Sequence, residues 1–395
     1  MASAALRPQA ARSLKSLALF TMIMAALSGC VPRSRPLPPQ PKQEEVREEA
    51  RPAQPTRLPA DETRNRIAVL VPLTGRDAAL GQSILNAANL ALLDTGGQRI
   101  RITAYDTAAG AVPAVNDALA EGNGLILGPL LAEDVRAIAP LARGASVPVV
   151  AFSNDASVAG DGVYLMGFTP AQSIQRVVSY ARAQGASRFG ALVPANVYGE
   201  RSARAMTQAV EGAGGRLVGL QTFDASATTG ARAAAARLAG QGAVDAVLIA
   251  DLPRVAGLAA PVLRQASPAP RLLATERWAT ESNIGANVQL RGAWFAAPSD
   301  GNFANFRARY RARYNAAPFR LASLGYDSVL LVVRVAADWP IGRPFPTRAL
   351  RDPGGFAGVD GAFRFGRDGI AERALEIREV NATGTTIVSP APRGF

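Results

Sequence analysis

The 395-residue chain has no histidine, a single cysteine and only two lysines, Lys15 and Lys42. Each scarcity removes chemistry. Without His there is no Ser-His-Asp triad, no Cys-His couple and no His-ligated metal. With Cys30 as the sole thiol, intrachain disulfides, Cys-rich zinc sites and iron–sulfur clusters are excluded. Without Lys after residue 42, a P-loop, a Ser-Lys dyad and a Schiff-base lysine are excluded from the body of the chain. The Asp and Glu residues form no recognisable nucleophile–base motif or metal-ligand spacing. The expectation is therefore no enzyme, no metal and no cofactor.

What is present is a globular composition, 48% apolar and 19% charged. A single core stops growing at ~250–300 residues, so this length predicts two domains or lobes. Lys and Arg outnumber Asp and Glu by 43 to 31, for a net charge of +12. Residues 1–64 hold ten of the bases and six of the acids, leaving 33 against 25, or +8, on residues 65–395. Such an excess attracts acidic partners or a membrane surface. The Arg and Ala bias of a GC-rich genome also accounts for it, without any partner.

The N-terminus reads as an address. Arg7, Arg12 and Lys15 precede an 11-residue apolar run, Leu17 to Leu27, broken only by Thr21. That length suits a signal-peptide core and falls short of the ~20 residues that span a bilayer. The run ends in Leu27-Ser28-Gly29-Cys30, which resembles a bacterial lipobox. The resemblance implies removal of residues 1–29 and lipidation of Cys30, with several acyl chains giving stable anchoring. Val31 after the Cys implies outer- rather than inner-membrane delivery. Residues 30–64 then read as a tether. Eight prolines fall within 31–64, together with Glu44-Glu45 and Glu48-Glu49 and no aromatic residue. Such a segment cannot bury enough apolar surface to fold, and at ~3.1 Å per residue it reaches ~100 Å at most.

The remainder contains one unit twice. Arg66-Ile67-Ala68-Val69-Leu70-Val71-Pro72 matches Arg188-Phe189-Gly190-Ala191-Leu192-Val193-Pro194 at an offset of 122. Each is an apolar strand followed by a glycine, Gly81 or Gly199, and an Ala-rich amphipathic helix. Leu125 to Gly128 pairs with Val247 to Ala250, Ala139-Pro140-Leu141 with Ala260-Pro261-Val262, and Val147 to Phe152 with Arg271 to Thr275. Two doubly wound α/β lobes follow, each a parallel sheet flanked by helices, with a cleft between them. Ligand-facing loops leave the carboxyl ends of such strands. Here these are Leu73-Thr74-Gly75, Gly128-Pro129-Leu130 and Ser153-Asn154 in the first lobe, and Asn196-Val197-Tyr198, Asp251 and Thr275-Glu276 in the second.

The order of elements resembles the type I periplasmic binding proteins of the branched-chain amino-acid group. The residues that carry the resemblance are Leu70 to Leu93, Tyr198-Gly199-Glu200, Phe306-Arg307-Ala308-Arg309-Tyr310, Leu324-Gly325-Tyr326-Asp327-Ser328 and a late hairpin, Gly358-Val359-Asp360-Gly361 to Phe365-Gly366-Arg367-Asp368-Gly369. They span essentially residues 65–395. The family implies three crossings between lobes, near Gly167 to Pro170, Trp294 to Pro298 and Pro353. Lobe one is then 65–168 plus 297–354, and lobe two 169–296 plus 355–395.

In such relatives backbone N–H groups and Ser/Thr hydroxyls of lobe one hold a ligand carboxylate, and an aromatic and an acid of lobe two help hold an ammonium group. The candidate cleft residues are Thr74, Pro129, Leu130, Ser153, Asn154, Tyr198, Asp251 and Glu276. Each also has a structural reading. Ser153 and Asn154 suit turn caps, Tyr198 packing, Asp251 a cap for the helix at Leu252-Pro253, and Glu276 a pair with Arg277. The chain departs from the family at Gly128-Pro129-Leu130-Leu131, apolar where relatives place hydroxyls. The stripe of Phe303, Phe306, Tyr310 and Tyr314 amid arginines reads as a buried helix face beneath a solvated one, not as a nucleic-acid surface.

Two functions follow. A lipid-anchored member with a Pro-rich tether is similar to the lipoprotein activators of penicillin-binding proteins, which implies a periplasmic regulator contacting a peptidoglycan synthase. The alternative is a solute receptor delivering branched-chain amino acids or small amides to an ABC permease.

Overall fold

The computed structural model describes residues 63–392 apart from 228, 266, 267 and 282. The signal peptide, Cys30 and the tether lie outside the described residues.

Lobe one is built from β1 (Asn65–Val71), α1 (Ala78–Thr95), β2 (Ile100–Asp106), α2 (Ala111–Ala120), β3 (Leu125–Leu127), α3 (Ala132–Gly144), β4 (Val149–Ala151) and β5 (Val163–Leu165). Its sheet runs β2-β1-β3-β4-β5, all parallel. Buried on both faces, β1 reads as an unbroken apolar run from Ile67 to Val71.

Lobe two repeats the plan with α4 (Pro170–Ala183), β6 (Arg188–Pro194), α5 (Val197–Gly212), β7 (Arg216–Phe223), α6 (Gly230–Ala239), β8 (Ala246–Ile249), α7 (Pro253–Leu263), β9 (Arg271–Ala274) and β10 (Trp294–Ala297). Its parallel strands run β7-β6-β8-β9-β10, the same order as in lobe one. The register repeats too, Ile67 facing Leu125 and Phe189 facing Ala246. A Cβ on Gly81 would lie 1.8 Å from the Pro72 carbonyl oxygen, and one on Gly199 1.8 Å from that of Pro194. Both helices therefore start hard against the end of their strand, and only glycine permits that approach.

The last third of the chain returns to lobe one as α8 (Asp300–Tyr314) and α9 (Ala322–Ala336). Phe306 and Tyr310 are buried there, and Phe303, Phe306, Tyr310 and Tyr314 form a run of ring contacts on one helix face. A meander of β11 (Phe356–Gly358), β12 (Gly361–Phe365) and β13 (Ala371–Arg373) follows, and then β14 (Glu376–Asn381) and β15 (Gly384–Ser389) extend the lobe-two sheet antiparallel to β10.

The third crossing differs from expectation. The sequence places residues 355–395 in lobe two, with the crossing near Pro353. Instead, Phe356, Val359, Phe363, Phe365 and Ala371 pack into the lobe-one core. The chain crosses at Ala374-Leu375, between β13 and β14. The Pro353-Gly354-Gly355 stretch has the composition of a linker but forms a turn within lobe one, with Gly355 at φ +67°. Likewise the second crossing begins after Ala297, because β10 is still buried in lobe two.

Two arginines flanking this crossing hold the other two. Arg373 donates to the Met166 carbonyl at 2.6 Å, and Arg378 to the Pro298 carbonyl at 2.6 Å. Arg373 sits in a buried group with Asp327, Asp360 and Arg320, in which Arg320 pairs with Asp360. Burial, then the charge of Asp360, pushes the Asp327 carboxyl up to about 7 against the opposing pull of Arg373.

Candidate functional site

The carboxyl ends of the two parallel sheets face each other across a cleft of about 560 Å³. Lobe one contributes Leu130, Leu131, Phe152 and Asn154, and lobe two contributes Asn196, Tyr198, Glu276 and Arg277. Phe168 and Pro298 enter from the crossings, and Arg320 with Leu321 from the segment before α9.

Of the eight candidates, Leu130, Asn154, Tyr198 and Glu276 line this cavity. The other four do not line it and are engaged elsewhere. Thr74 donates to the Asp106 carboxylate at 2.6 Å, which also takes the Leu73 N–H. Pro129 accepts the Phe152 N–H through its carbonyl. Ser153 is buried and accepts the Asp155 N–H at 3.2 Å, a turn-capping role. Asp251 accepts the Leu252 N–H at 2.7 Å, just ahead of α7.

The lobe-two wall is a linked polar set. Tyr198, in the first turn of α5, donates its hydroxyl to Thr275 at 2.9 Å and lies 3.4 Å from Glu276. The Ser173 hydroxyl, from α4, donates to the other Glu276 oxygen. Burial raises the Glu276 carboxyl, opposed chiefly by the Ser173 hydrogen bond. Burial also raises the Tyr198 phenol well above its ordinary value, with the Glu276 charge acting in the same direction. Arg277 lies 4.8 Å from the centre of the Tyr198 ring and 3.6 Å from Asp251. These groups already answer one another's charges and hydrogen bonds.

The lobe-one wall is apolar where it meets α3. Leu131 stands at the N-cap in extended conformation and gives no side-chain cap, and Glu133 and Asp134 occupy the first turn. Carboxylates at a helix N-terminus satisfy its partial positive charge and oppose a second anion there. Burial and the charge of Glu133 raise the Asp134 carboxyl.

A charged tie joins the two lobes. Asp155, in the turn after β4, is 2% exposed and meets Arg136 of α3 and Arg201 of α5, the latter at 2.5 Å. Burial works to raise this carboxyl, yet the Ser157 hydroxyl and N–H and then the two guanidinium groups carry it below its ordinary value.

Phe152, Phe168, Arg277 and Arg320 were not among the sequence candidates. Phe152 and Arg277 adjoin Ser153 and Glu276, so the strand-end rule could have reached them. Phe168 and Arg320 come from a crossing and a distant loop that carry no local signature.

With this geometry in view, the comparisons are consistent. A family model described as periplasmic binding protein matches residues 65–385. The C-domain of LpoA (YraM) from Haemophilus influenzae, a regulator of PBP1A, superposes with TM-score 0.67 at 18% identity, covering 82% of this chain and 100% of that one. The leucine binding protein LivK of Thermotoga maritima superposes with TM-score 0.60 at 20% identity, covering 83% and 98%. At those identities the likeness is one of fold. In sequence, an uncharacterized protein of Rickettsia prowazekii is 26% identical over 142 residues, 35% of this chain. The match spans 38% of that protein's length.

Proposed function

Because the chain belongs to the periplasmic binding protein family, we propose that it is a non-catalytic, lipid-anchored binding module of the periplasm that regulates a peptidoglycan synthase by protein contact. The observation that carries this reading is the lobe-one wall. A receptor for free amino acids needs donors for a carboxylate there. This chain offers Leu130 and Leu131 followed by Glu133 and Asp134 in the first turn of α3. Losing one or two charge-assisted hydrogen bonds, each worth ~1.5–3 kcal/mol, weakens such a ligand at least tenfold. The likeness to the LpoA C-domain, a regulator of PBP1A, supports the same reading, as do the lipobox-like Leu27 to Cys30 and the Pro-rich stretch after it.

A second reading has its own support. Arg277 reaches a cleft otherwise rich in Leu and Phe, which suits a small apolar carboxylate approached from lobe two. Calorimetry of the full chain against the twenty amino acids, beside a pull-down of envelope synthases, separates the readings. The regulatory reading expects a synthase recovered and no amino-acid heat. Tight binding of one amino acid, abolished in Tyr198→Ala, with no synthase recovered, would decide for transport.

A further inference from the structure

A second groove, about 710 Å³, opens beyond the cleft and shares Ala279, Thr280, Arg320 and Leu321 with it. Its lobe-one wall is the α8 face bearing Phe303, Arg307 and Arg311, with Leu80 and Phe319 beside it. Its lobe-two wall runs from Trp278 to Glu281 and includes Thr385 of β15.

Three observations define what fits. Arg307 and Arg311 stand one turn apart on α8, both exposed, and neither forms an ion pair among the described residues. At that spacing the two guanidinium groups share one helix face, where their combined positive charge can receive a pair of carboxylates. Phe319 is 50% exposed, and the Arg320 guanidinium lies over the Phe303 ring, 3.9 Å from its centre. Exposed aromatics beside arginines are the composition of protein-interface anchors. Two acids share the groove. Asp300 is taken by Arg378, which leaves Glu281 as the acid on the lobe-two wall. The +8 charge of residues 65–395 steers a partner of opposite sign toward such a surface.

We propose that this groove docks an acidic segment of a protein partner, its carboxylates on Arg307 and Arg311 and an apolar side chain against Phe303 and Phe319. Because the groove is walled by both lobes, the docked segment fixes the angle between them. The proposal rests on the regulatory reading above and names the surface that reading requires.

The test is biolayer interferometry of the full chain, in detergent micelles, against the purified ectodomain of the bifunctional penicillin-binding protein from the same genome. Arg307→Glu/Arg311→Glu is expected to weaken binding at least tenfold, and Arg307→Lys/Arg311→Lys to keep it within threefold. Arg232→Glu/Arg254→Glu, which makes the same charge change on exposed lobe-two positions, is expected to leave affinity within twofold. Wild-type affinity is expected to fall steeply between 50 and 300 mM salt. Undiminished binding by the groove double variant overturns the groove and leaves the regulatory reading standing. Equal loss in both Glu variants assigns the effect to net charge and also overturns it. No binding by wild type removes the groove and the reading together.

Discussion

Arg201 of lobe two holds the buried carboxylate of Asp155 in lobe one at 2.5 Å, so the two lobes are joined by a charge pair as well as by their three crossings. Asp155 keeps a second partner, Arg136, within its own lobe. Removing Arg201 therefore releases the lobes without stranding the acid. Arg201→Ala is expected to cost about 1–2 kcal/mol of stability, in the range of one charge-assisted contact. Small-angle scattering should show a larger radius of gyration for the variant. An unchanged scattering curve would mean that the pair does not set the lobe angle. Because the folded Asp155 carboxyl lies below its ordinary value of 3.8, the contribution is present above about pH 4 and is lost on acidification through the lower folded value.

Asp327 has the opposite sign. Its folded carboxyl is pushed up to about 7 from 3.8, so the native state binds the extra proton. Stability is therefore greatest below pH 4 for this group and falls as pH rises toward 7, by a few kcal/mol at most. Urea midpoints across that range should trace the fall in wild type, and Asp327→Asn should flatten it. A variant with the same slope as wild type would assign the pH dependence elsewhere.

Gly81 and Gly199 offer a matched pair of substitutions. Alanine at either would drive a Cβ into a strand-end carbonyl 1.8 Å away. Each should lower stability by about 1–3 kcal/mol or more, the cost of overpacking a close contact. Thermal unfolding of both variants checks this, and a neutral result at either glycine contradicts the close approach.

Cys30→Ala tests the anchor read from Leu27-Ser28-Gly29-Cys30. Wild type should fractionate with membranes and the variant with the soluble periplasm. Equal partitioning would remove lipidation from the account.

Much of the fold was legible because duplication is visible in sequence: one strand motif recurs at an offset of 122, and the two sheets share an order. The strand-end rule brought Leu130, Asn154, Tyr198 and Glu276 to the cleft, since topology alone fixes where those loops emerge. It also nominated Thr74, Ser153 and Asp251, which lie outside the cleft lining: Thr74 is held on the surface by the Asp106 carboxylate, and Ser153 and Asp251 are buried accepting nearby N–H groups. The crossing at Ala374-Leu375 was misplaced because Pro353 and its glycines have a linker's composition, while the evidence against a linker lay in the later pattern of Phe356, Phe363 and Phe365. The buried set of Asp327, Asp360, Arg320 and Arg373 was not foreseen. Acids and arginines normally signal surface, and their partners are up to 53 residues apart.

The proposed action of this chain on a synthase can be measured. Its most direct test is glycan-strand polymerisation by the purified bifunctional penicillin-binding protein, measured on lipid-linked disaccharide substrate with and without stoichiometric full chain. The account predicts a several-fold rise in initial rate that saturates with added chain. An unchanged rate at saturating chain, in a sample that binds a free amino acid tightly, would contradict it.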